Sequence, residues 1–239
     1  KLNEEAKYRK YIRNVVEVIK ALKVLRYTLY KFRKPVDHVS VDLDILIHID
    51  DVPKAIRRLR SIGFEIDIIE PYTVTLKKKR FVVDLYTHPA FAWIVYMDGQ
   101  KLLNDFSEDN EVNGVLIKSL TKDAEVVVAA AHAAYKEHIV LLLDCITIKK
   151  WFSRRVMNIA EEFKVKKALK IVLNVCDTIE RGFVEAPFKI PISYISELYV
   201  EKAIIDSWFR LTTPNILKYL IKHKNSGYIV LQRLTRKSY

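Results

Sequence analysis

The sequence predicts an α+β protein in which a small mixed β-sheet, with helices on one of its faces, is followed by an all-helical domain. Three observations support this fold class. The apolar run SVDLDILI at 40–47 has the aliphatic and β-branched composition of a buried strand. The stretch FEIDIIEPYTVTLKKKRFVVDLYTH at 64–88 divides at Pro71 and at its KKKR tip into three further strands. From Thr121 onward, alanine-rich and leucine-rich runs have helical spacing.

Composition predicts a folded protein with an anionic partner. The chain has 239 residues, half of them apolar, which is enough to bury a substantial core. The net charge of +12 and the pI near 9.5 favour nucleic acid or a nucleotide as that partner. A lysine-rich solubilising surface is the alternative interpretation, and with many Ile, Val, Lys and Glu it is typical of a thermophile.

The two cysteines and the absence of export signals predict a cytoplasmic protein without a membrane partner. Cys145 and Cys176 lie in apolar helical patterns and form no C-x-x-C pair, so we expect buried thiols in a reducing cytosol. The sequence contains no signal peptide and no apolar run of membrane-spanning length.

The N-terminal segment is predicted to be one long amphipathic helix. Asn3–Lys34 contains no Gly or Pro, and apolar residues recur in it at three- and four-residue spacing. A break near Tyr27 is an alternative, and Pro35 is expected to end the helix. These apolar positions are Val15, Ile19, Leu22, Leu25 and Leu29.

A second helix and a domain boundary follow the first strand. Asp50 or Asp51 is expected to cap a helix that carries Pro53 in its first turn and ends at Gly63. Beyond Pro89 the pattern weakens. We expect an acidic loop at 107–111, a strand at 112–117, and a boundary between a first domain, 1–118, and a helical second domain, 119–239.

The second domain is predicted to be helical with a basic tail. Its first helices carry Asp144, a buried carboxylate for which His132 or His138 is the expected partner. The basic stretch NSGYIVLQRLTRKSY at 225–239 is expected to form a strand, an arm or a disordered tail. Three further helices are predicted at Arg154–Arg181, Ser193–Leu211 and Pro214–Lys224.

Three aspartates inside predicted strands are the strongest functional signal. Side chains alternate along a strand, so Asp42 and Asp44 project to the same side, about 7 Å apart. Asp84 lies in the middle of the second apolar strand, FVVDLY, where a lone carboxylate is costly. A divalent cation such as Mg²⁺ stabilises carboxylates held this close. The pattern therefore predicts a two-metal site.

The quoted strands also carry a resemblance to a known family. SVDLDILI, the helix DVPKAIRRLRSIGF at 51–64 and VDLY at 83–86 resemble the DNA polymerase beta-like nucleotidyltransferase superfamily, in particular its uncharacterised prokaryotic branch. The likeness is good over 24–86 and looser over 121–152. One element departs from the pattern: the superfamily usually carries a Gly-Ser before the D-x-D, whereas this chain reads VLRYTLYKFRKPVDHV there and has no Gly before Gly63.

The resemblance implies transfer of a nucleoside monophosphate from an NTP to a hydroxyl, with Mg²⁺ or Mn²⁺ as cofactor. Asp42 and Asp44 would hold both metal ions, and Asp84 would complete the second site and help to deprotonate the attacking hydroxyl. RNA, tRNA included, is the acceptor that the basic composition favours, beside a protein hydroxyl or a small molecule such as an aminoglycoside.

Basic residues before the D-x-D strand are the expected substitute for the Gly-Ser. Arginine is favoured over lysine because its planar fork binds two phosphate oxygens. The alternative is that these cations complement a helix C-terminus. The residues are Arg26, Lys31, Arg33 and Lys34.

Two other functions remain alternatives. The first is a catalytically degenerate nucleotidyltransferase fold that binds nucleic acid or a protein, which the missing Gly-Ser favours. The second is a metal-dependent nuclease, because acidic residues and two metal ions also cut phosphodiesters. Against the nuclease stands the succession of strand, helix, Gly63-Phe64 and third-aspartate strand.

Overall fold

The computed structural model describes residues 2–112 and 114–222, and the predicted basic tail at 225–239 lies outside them. The α+β fold class is confirmed. The described chain forms two compact units, one of residues 2–88 with 99–121 and the other of residues 89–98 with 122–222. No helix in the described part of the chain combines the length and the apolar composition that crossing a bilayer requires.

The first unit is built on a seven-stranded mixed sheet. Its strand order is β3-β4-β5-β2-β1-β9-β8, with β2/β5 and β1/β9 parallel and the other neighbours antiparallel. The strands are β1 Tyr27–Leu29, β2 Asp42–Ile47, β3 Glu65–Ile69, β4 Thr73–Lys78, β5 Phe81–Tyr86, β8 Ser107–Val112 and β9 Val115–Leu120. The helices are α1 Leu2–Leu22, α2 Val52–Ser61 and α3 Gly99–Asp105.

The two faces of β2 have different neighbours, which places the aspartates. Leu43, Ile45 and Ile47 face the core that α1 and α2 form over one side of the sheet. The even-numbered residues project to the opposite side, where Leu46 contacts the start of α3 at Gly99. Asp42 and Asp44 share that opposite side with Leu46, so they lie outside the main apolar core.

The C-terminal part of the predicted N-terminal helix is not helical, so that part of the prediction was wrong. The helix ends at Leu22, and Tyr27–Leu29 forms β1 in the middle of the sheet. Leu25 and Leu29 fit a helical spacing, but pairing of β1 with Ile45–Ile47 overrides that local pattern. Pro35 therefore follows a loop and does not end a helix.

The predicted acidic loop at 107–111 is also wrong. These residues belong to β8, which lies at one edge of the sheet and pairs with β9 along its whole length. Acidic residues are poor strand formers, but at an edge they point into water and cost little. The other edge strand is β3.

The second unit is mainly helical and contains two short strand pairs. Lys164, with φ of 56°, separates α6 from α7 where one continuous helix was predicted. The helices are α4 Lys122–His132, α5 Leu142–Trp151, α6 Arg154–Glu162, α7 Lys166–Glu180, α8 Ile192–Ile205, α9 Ser207–Thr212 and α10 Asn215–Lys222. The paired strands are β6 Ala90–Phe91 with β7 Ile94–Val95, and β10 Ile139–Val140 with β11 Phe188–Lys189.

The two cysteines form a disulfide, so the prediction of free thiols was wrong. Cys145 on α5 and Cys176 on α7 are buried as predicted, and their Cα atoms are 5.2 Å apart. Helical spacing alone does not show which faces of two helices meet, and here the packing of α5 against α7 brings the two sulfur atoms together.

Reducing this disulfide is expected to lower the free energy of unfolding by about 3–4 kcal/mol. The crosslinked cysteines are 31 residues apart, and opening a loop of that size restores chain entropy to the unfolded state. Urea unfolding of the wild type with and without dithiothreitol measures the change. A Cys145→Ser/Cys176→Ser variant is the control, and it should not respond to the reductant. An equal response of the variant would contradict the assignment.

Candidate metal centre

Strand pairing brings the three predicted aspartates together. β2 and β5 are parallel, and Asp44 lies directly opposite Asp84. Asp42 precedes Asp44 by two residues and therefore lies on the same face. One oxygen from each carboxylate lies within 4.8 Å of the other two. The structure thus contains the carboxylate convergence that the strand pattern predicted, while the catalytic role of these residues stays a prediction.

Asp44 is the most buried member of this aspartate cluster (Asp42, Asp44 and Asp84). It is 5% exposed, and its Oδ2 lies 2.8 Å from Nζ of Lys31. Its Oδ1 is buried and has no hydrogen-bond partner among the residues that the structure describes. A buried carboxylate oxygen without a partner costs free energy unless another positive group binds it.

The other two carboxylates are oriented by neutral hydroxyl groups. Thr75, opposite Asp84 on β4, donates a hydrogen bond of 2.6 Å from its Oγ1 to Oδ1 of Asp84. The hydroxyl of Tyr86 lies 3.4 Å from Oδ2 of the same residue. Ser40 donates from Oγ to Oδ1 of Asp42 at 3.3 Å. These contacts orient both carboxylates without neutralising their charge.

The aspartate cluster fits a divalent cation. Three carboxylates and the ammonium of Lys31 leave a net negative charge, and the partnerless Oδ1 of Asp44 offers a ligand atom. Carboxylate oxygens are hard ligands of the kind that Mg²⁺ and Mn²⁺ prefer. Asp42, Asp44 and Asp84 are therefore the residues that would hold such an ion.

The negative charge of the aspartate cluster raises the pKa values of two nearby tyrosines. Burial, followed by the charges of Asp44 and Asp84, raises the pKa of Tyr86 well above its usual value. Burial, followed by the charges of Asp44 and Asp42, also raises the pKa of Tyr11, which lies on α1. Both hydroxyls therefore stay protonated at neutral pH and remain hydrogen-bond donors.

The four predicted phosphate-binding cations occupy different places. Lys31 contacts the aspartate cluster directly. Arg33 forms an ion pair with Glu108 and donates to the carbonyl of Leu120. Lys34 is half-buried. The pKa of His38 is lowered first by the burial of its own ring and second by the positive charge of Lys34. The structure thus places a lysine at the cluster, where an arginine was favoured.

Arg26, the fourth cation, is held by the acidic residues after β2. Its Nε donates to Oδ2 of Asp51 at 2.8 Å, and its NH2 lies 3.6 Å from Asp50. Asp51 occupies the N-cap position of α2 as predicted, but its side chain makes no capping hydrogen bond. The hydrogen bond from Arg26 is the main reason that the pKa of Asp51 is lowered from 3.8 to about 2.

An Arg26→Ala variant is expected to raise the pKa of Asp51 towards 3.8. A carboxyl group whose pKa is lower in the folded than in the unfolded protein stabilises the fold at pH values above the unfolded-state pKa. This contribution is lost as the pH falls through the folded-state pKa of Asp51, which is about 2. Wild type and variant should therefore differ in stability at neutral pH and converge near pH 2. Carboxyl titration by NMR and urea unfolding across this range measure both quantities. Lys54→Ala, which removes a weaker contact to Asp51, should shift the pKa less.

Some residues of the site were not predicted from the sequence. Ser40, Thr75 and Tyr11 are ordinary surface, strand and helix residues in the sequence pattern, and only the strand register and the packing of α1 bring them near the aspartates. Tyr86, two residues after Asp84 on β5, also contacts this carboxylate. His88 instead accepts a hydrogen bond from the backbone N–H of Gly99, which is a structural role.

The predicted histidine partners of Asp144 have other contacts in the second unit. Oδ2 of Asp144 accepts a hydrogen bond of 3.0 Å from the backbone N–H of Leu141, at the start of α5. Nδ1 of His132 lies 3.3 Å from the hydroxyl of Tyr96, and Nδ1 of His138 lies 2.9 Å from the carbonyl of Ala134.

The chain was compared with protein families, curated proteins and solved structures. The sequence matches no protein-family model and no curated protein. The lincosamide antibiotic adenylyltransferase LnuA, bound to lincomycin, matches 60% of this chain and 96% of its own, at 19% identity and a TM-score of 0.40. The antibiotic-resistance factor ANT(2'')-Ia matches 71% and 94%, at 12% identity and a TM-score of 0.43. JHP933 from Helicobacter pylori matches 94% and 97%, at 11% identity and a TM-score of 0.39.

Proposed function

We propose that this protein is a metal-dependent nucleotidyltransferase that moves a nucleoside monophosphate from an NTP to a hydroxyl acceptor. The observation that carries the proposal is the convergence of Asp42, Asp44 and Asp84, with one buried oxygen of Asp44 lacking a hydrogen-bond partner among the described residues. A cluster that is costly without a cation is best explained by a reaction that uses one.

The residues of the cluster have separate roles in this reaction. Asp42, Asp44 and Asp84 hold the metal, which when bound neutralises charge on the triphosphate and on the attacking oxygen. Asp84 also accepts the proton of the acceptor hydroxyl, and Thr75 and Tyr86 keep its carboxylate in one orientation. The hydroxyl oxygen bonds to the α-phosphorus, the bond from the α-phosphorus to its bridging oxygen breaks, and pyrophosphate leaves.

Lys31 is the proposed substitute for the missing Gly-Ser. It lies two residues after the end of β1, in the segment between β1 and the D-x-D strand, and its φ of 59° is a conformation that L-residues rarely adopt. Its ammonium group has three donors, so it can keep its contact with Asp44 while donating to a phosphate oxygen.

Label transfer tests the proposal. The protein is incubated with each α-³²P-labelled NTP, Mg²⁺ or Mn²⁺, and total RNA, and the products are compared with those of an Asp84→Asn variant. We expect incorporation that needs the metal and is lost in the variant. Protein self-labelling and an aminoglycoside acceptor are assayed in parallel reactions. Absence of label in every acceptor would contradict the proposal.

A binding module without catalysis is the second candidate, and the contact of Lys31 with Asp44 favours it. An ammonium 2.8 Å from Oδ2 of Asp44 offsets part of the charge that a metal would otherwise neutralise. In that case the protein binds its partner equally well with and without Mg²⁺. Isothermal titration of Mn²⁺ separates the candidates, because only the enzyme is expected to bind the ion through the aspartate cluster.

A further inference from the structure

A second feature of the first unit lies next to the aspartate cluster. It is a cavity of about 670 Å³ bounded by α1, by the segment 39–41 that leads into β2, and by the β4–β5 hairpin. Its volume is in the range of ligand-binding pockets. Ser40 and Tyr11 line this cavity, here called the basic cavity, and Ser40 also donates to Asp42. The basic cavity therefore adjoins the aspartate cluster through Ser40.

The rim of the basic cavity is strongly positive. Five of its lining side chains are cationic, and the one anionic side chain, Glu17, is held by Lys78 at 2.6 Å. Lys10 on α1 and Lys79 and Arg80 at the hairpin tip are exposed, and within residues 2–112 and 114–222 none of these three forms an ion pair. The cations belong to two elements, α1 and the β4–β5 hairpin, that both line the cavity. Three positive charges are thus available to an anionic ligand.

Part of the lining of the basic cavity is apolar. Val41 is 87% exposed, although it directly precedes the D-x-D strand, and Val39 beside it is 48% exposed. Phe81 also lines the cavity, with its ring 6.2 Å from that of Tyr11 and 6.4 Å from that of Phe64. Exposed apolar surface in a cavity that is also lined by cations suits a ligand that carries both phosphate groups and planar rings.

We infer that the basic cavity binds single-stranded nucleic acid next to the aspartate cluster, which makes a nucleic acid the acceptor; this assignment rests on the proposed function. The phosphates of a bound strand meet the cations of α1 and of the hairpin, and a base packs on the apolar part of the lining. Such a combination of charge and stacking binds single strands with little sequence preference. Duplex binding needs a surface that follows a helical groove, and a concave cavity does not offer one.

Fluorescence anisotropy with a fluorescein-labelled RNA of about 12 nucleotides tests the inference. Neither NTP nor divalent metal is added, so the result does not depend on nucleotidyl transfer. The cavity variant is Lys10→Ala/Lys79→Ala/Arg80→Ala. Its matched control is Lys23→Ala/Arg57→Ala/Arg60→Ala, which removes the same charge from exposed residues of the same unit that do not line the cavity.

The cavity variant is expected to bind the RNA at least about tenfold more weakly than the control in low salt. The slope of log K against log salt concentration should fall by about 2, since each phosphate contact on a single strand contributes about 0.7. Thermal unfolding of both variants is compared with wild type, so that a folding defect is recognised. Single Lys10→Ala and Arg80→Ala variants, each with a smaller fall in slope, provide the measurement if the triple variant unfolds.

Three results would overturn the inference. The first is equal loss of RNA binding in the cavity and control variants, which would indicate attraction by net charge alone. The second is that AMP displaces the labelled RNA as effectively as unlabelled RNA does at the same concentration, which would make a free nucleotide the ligand. The third is tighter binding of a duplex than of the single strand. If the inference failed while label transfer depended on Asp84, the proposed function would still stand with another acceptor.

Discussion

Replacing Asp42 and Asp44 together by asparagine is expected to reduce nucleotidyl transfer at least about 1,000-fold. The two residues supply two of the three carboxylates of the cluster, and without them the metal and the charge stabilisation that it provides, worth several kcal/mol, are lost. Asparagine has nearly the same size as aspartate, and Asp42 and Asp44 lie outside the α1–α2 core, so the double variant is expected to fold.

Activity, fold and metal binding are measured on the same preparations. Label transfer reports activity, circular dichroism reports the fold, and the rise in thermal unfolding temperature on adding Mn²⁺ reports metal binding, because a ligand that binds only the folded state stabilises it. The control is Asp50→Asn/Asp105→Asn, which removes two exposed carboxylates outside the cluster. Transfer at the wild-type rate in the Asp42→Asn/Asp44→Asn variant would place the activity elsewhere.

A Lys31→Met variant is expected to bind Mn²⁺ about tenfold or more tightly and ATP about 5–150-fold more weakly. Removing a positive charge 2.8 Å from Oδ2 of Asp44 makes the cluster more negative and strengthens its attraction for a cation. The same change removes a charge-assisted hydrogen bond to the triphosphate, on the scale of about 1–3 kcal/mol. Opposite changes in the affinities for Mn²⁺ and ATP distinguish a phosphate-binding lysine from a structural one.

Calorimetric titrations of Mn²⁺ and of Mg²⁺-ATP measure the two affinities. Lys34→Met is the matched control, because Lys34 is a half-buried lysine of the same segment and its charge acts on His38. If Lys31→Met binds the metal more tightly while ATP affinity stays at the wild-type value, Lys31 does not hold the triphosphate. If the wild type binds neither ligand at millimolar concentration, the binding module becomes the better account.

The central elements could be predicted from the sequence because their patterns are long and consistent. β2 to β5 are runs of five or six residues with clear breaks at Pro71 and at the KKKR tip, and α2 has Pro53 and Gly63 at its ends. β1 could not be predicted in the same way. Its three residues, buried on both sides, are too few to show alternation, and their conformation depends on pairing with β2 and β9, which are distant in sequence.

The candidate site could be predicted in part from the sequence, because its aspartates lie in clearly patterned strands. A carboxylate inside an apolar strand is visible in the sequence, and alternation then places Asp42 and Asp44 on one face. The choice among four nearby cations depends on the path of the loop after β1 and on the φ of Lys31, which no sequence pattern records. Thr75 reaches Asp84 only through the register of β4 with β5.

The two edges of the sheet carry negative charge although the chain as a whole is strongly positive. β3 contributes Glu65 and Asp67 at one edge, and β8 contributes an acidic run at the other. Asp67 is paired with Lys77 and Glu108 with Arg33, so the remaining carboxylates supply the edge charge. An open strand edge can pair with the edge of a second copy, and like charges oppose that pairing. Copies of this protein meeting edge to edge would bring carboxylates against carboxylates in each of the three possible pairings. We expect these carboxylates to disfavour pairing of two copies through their sheet edges, while the cations on α1 and the β4–β5 hairpin remain available to anionic ligands.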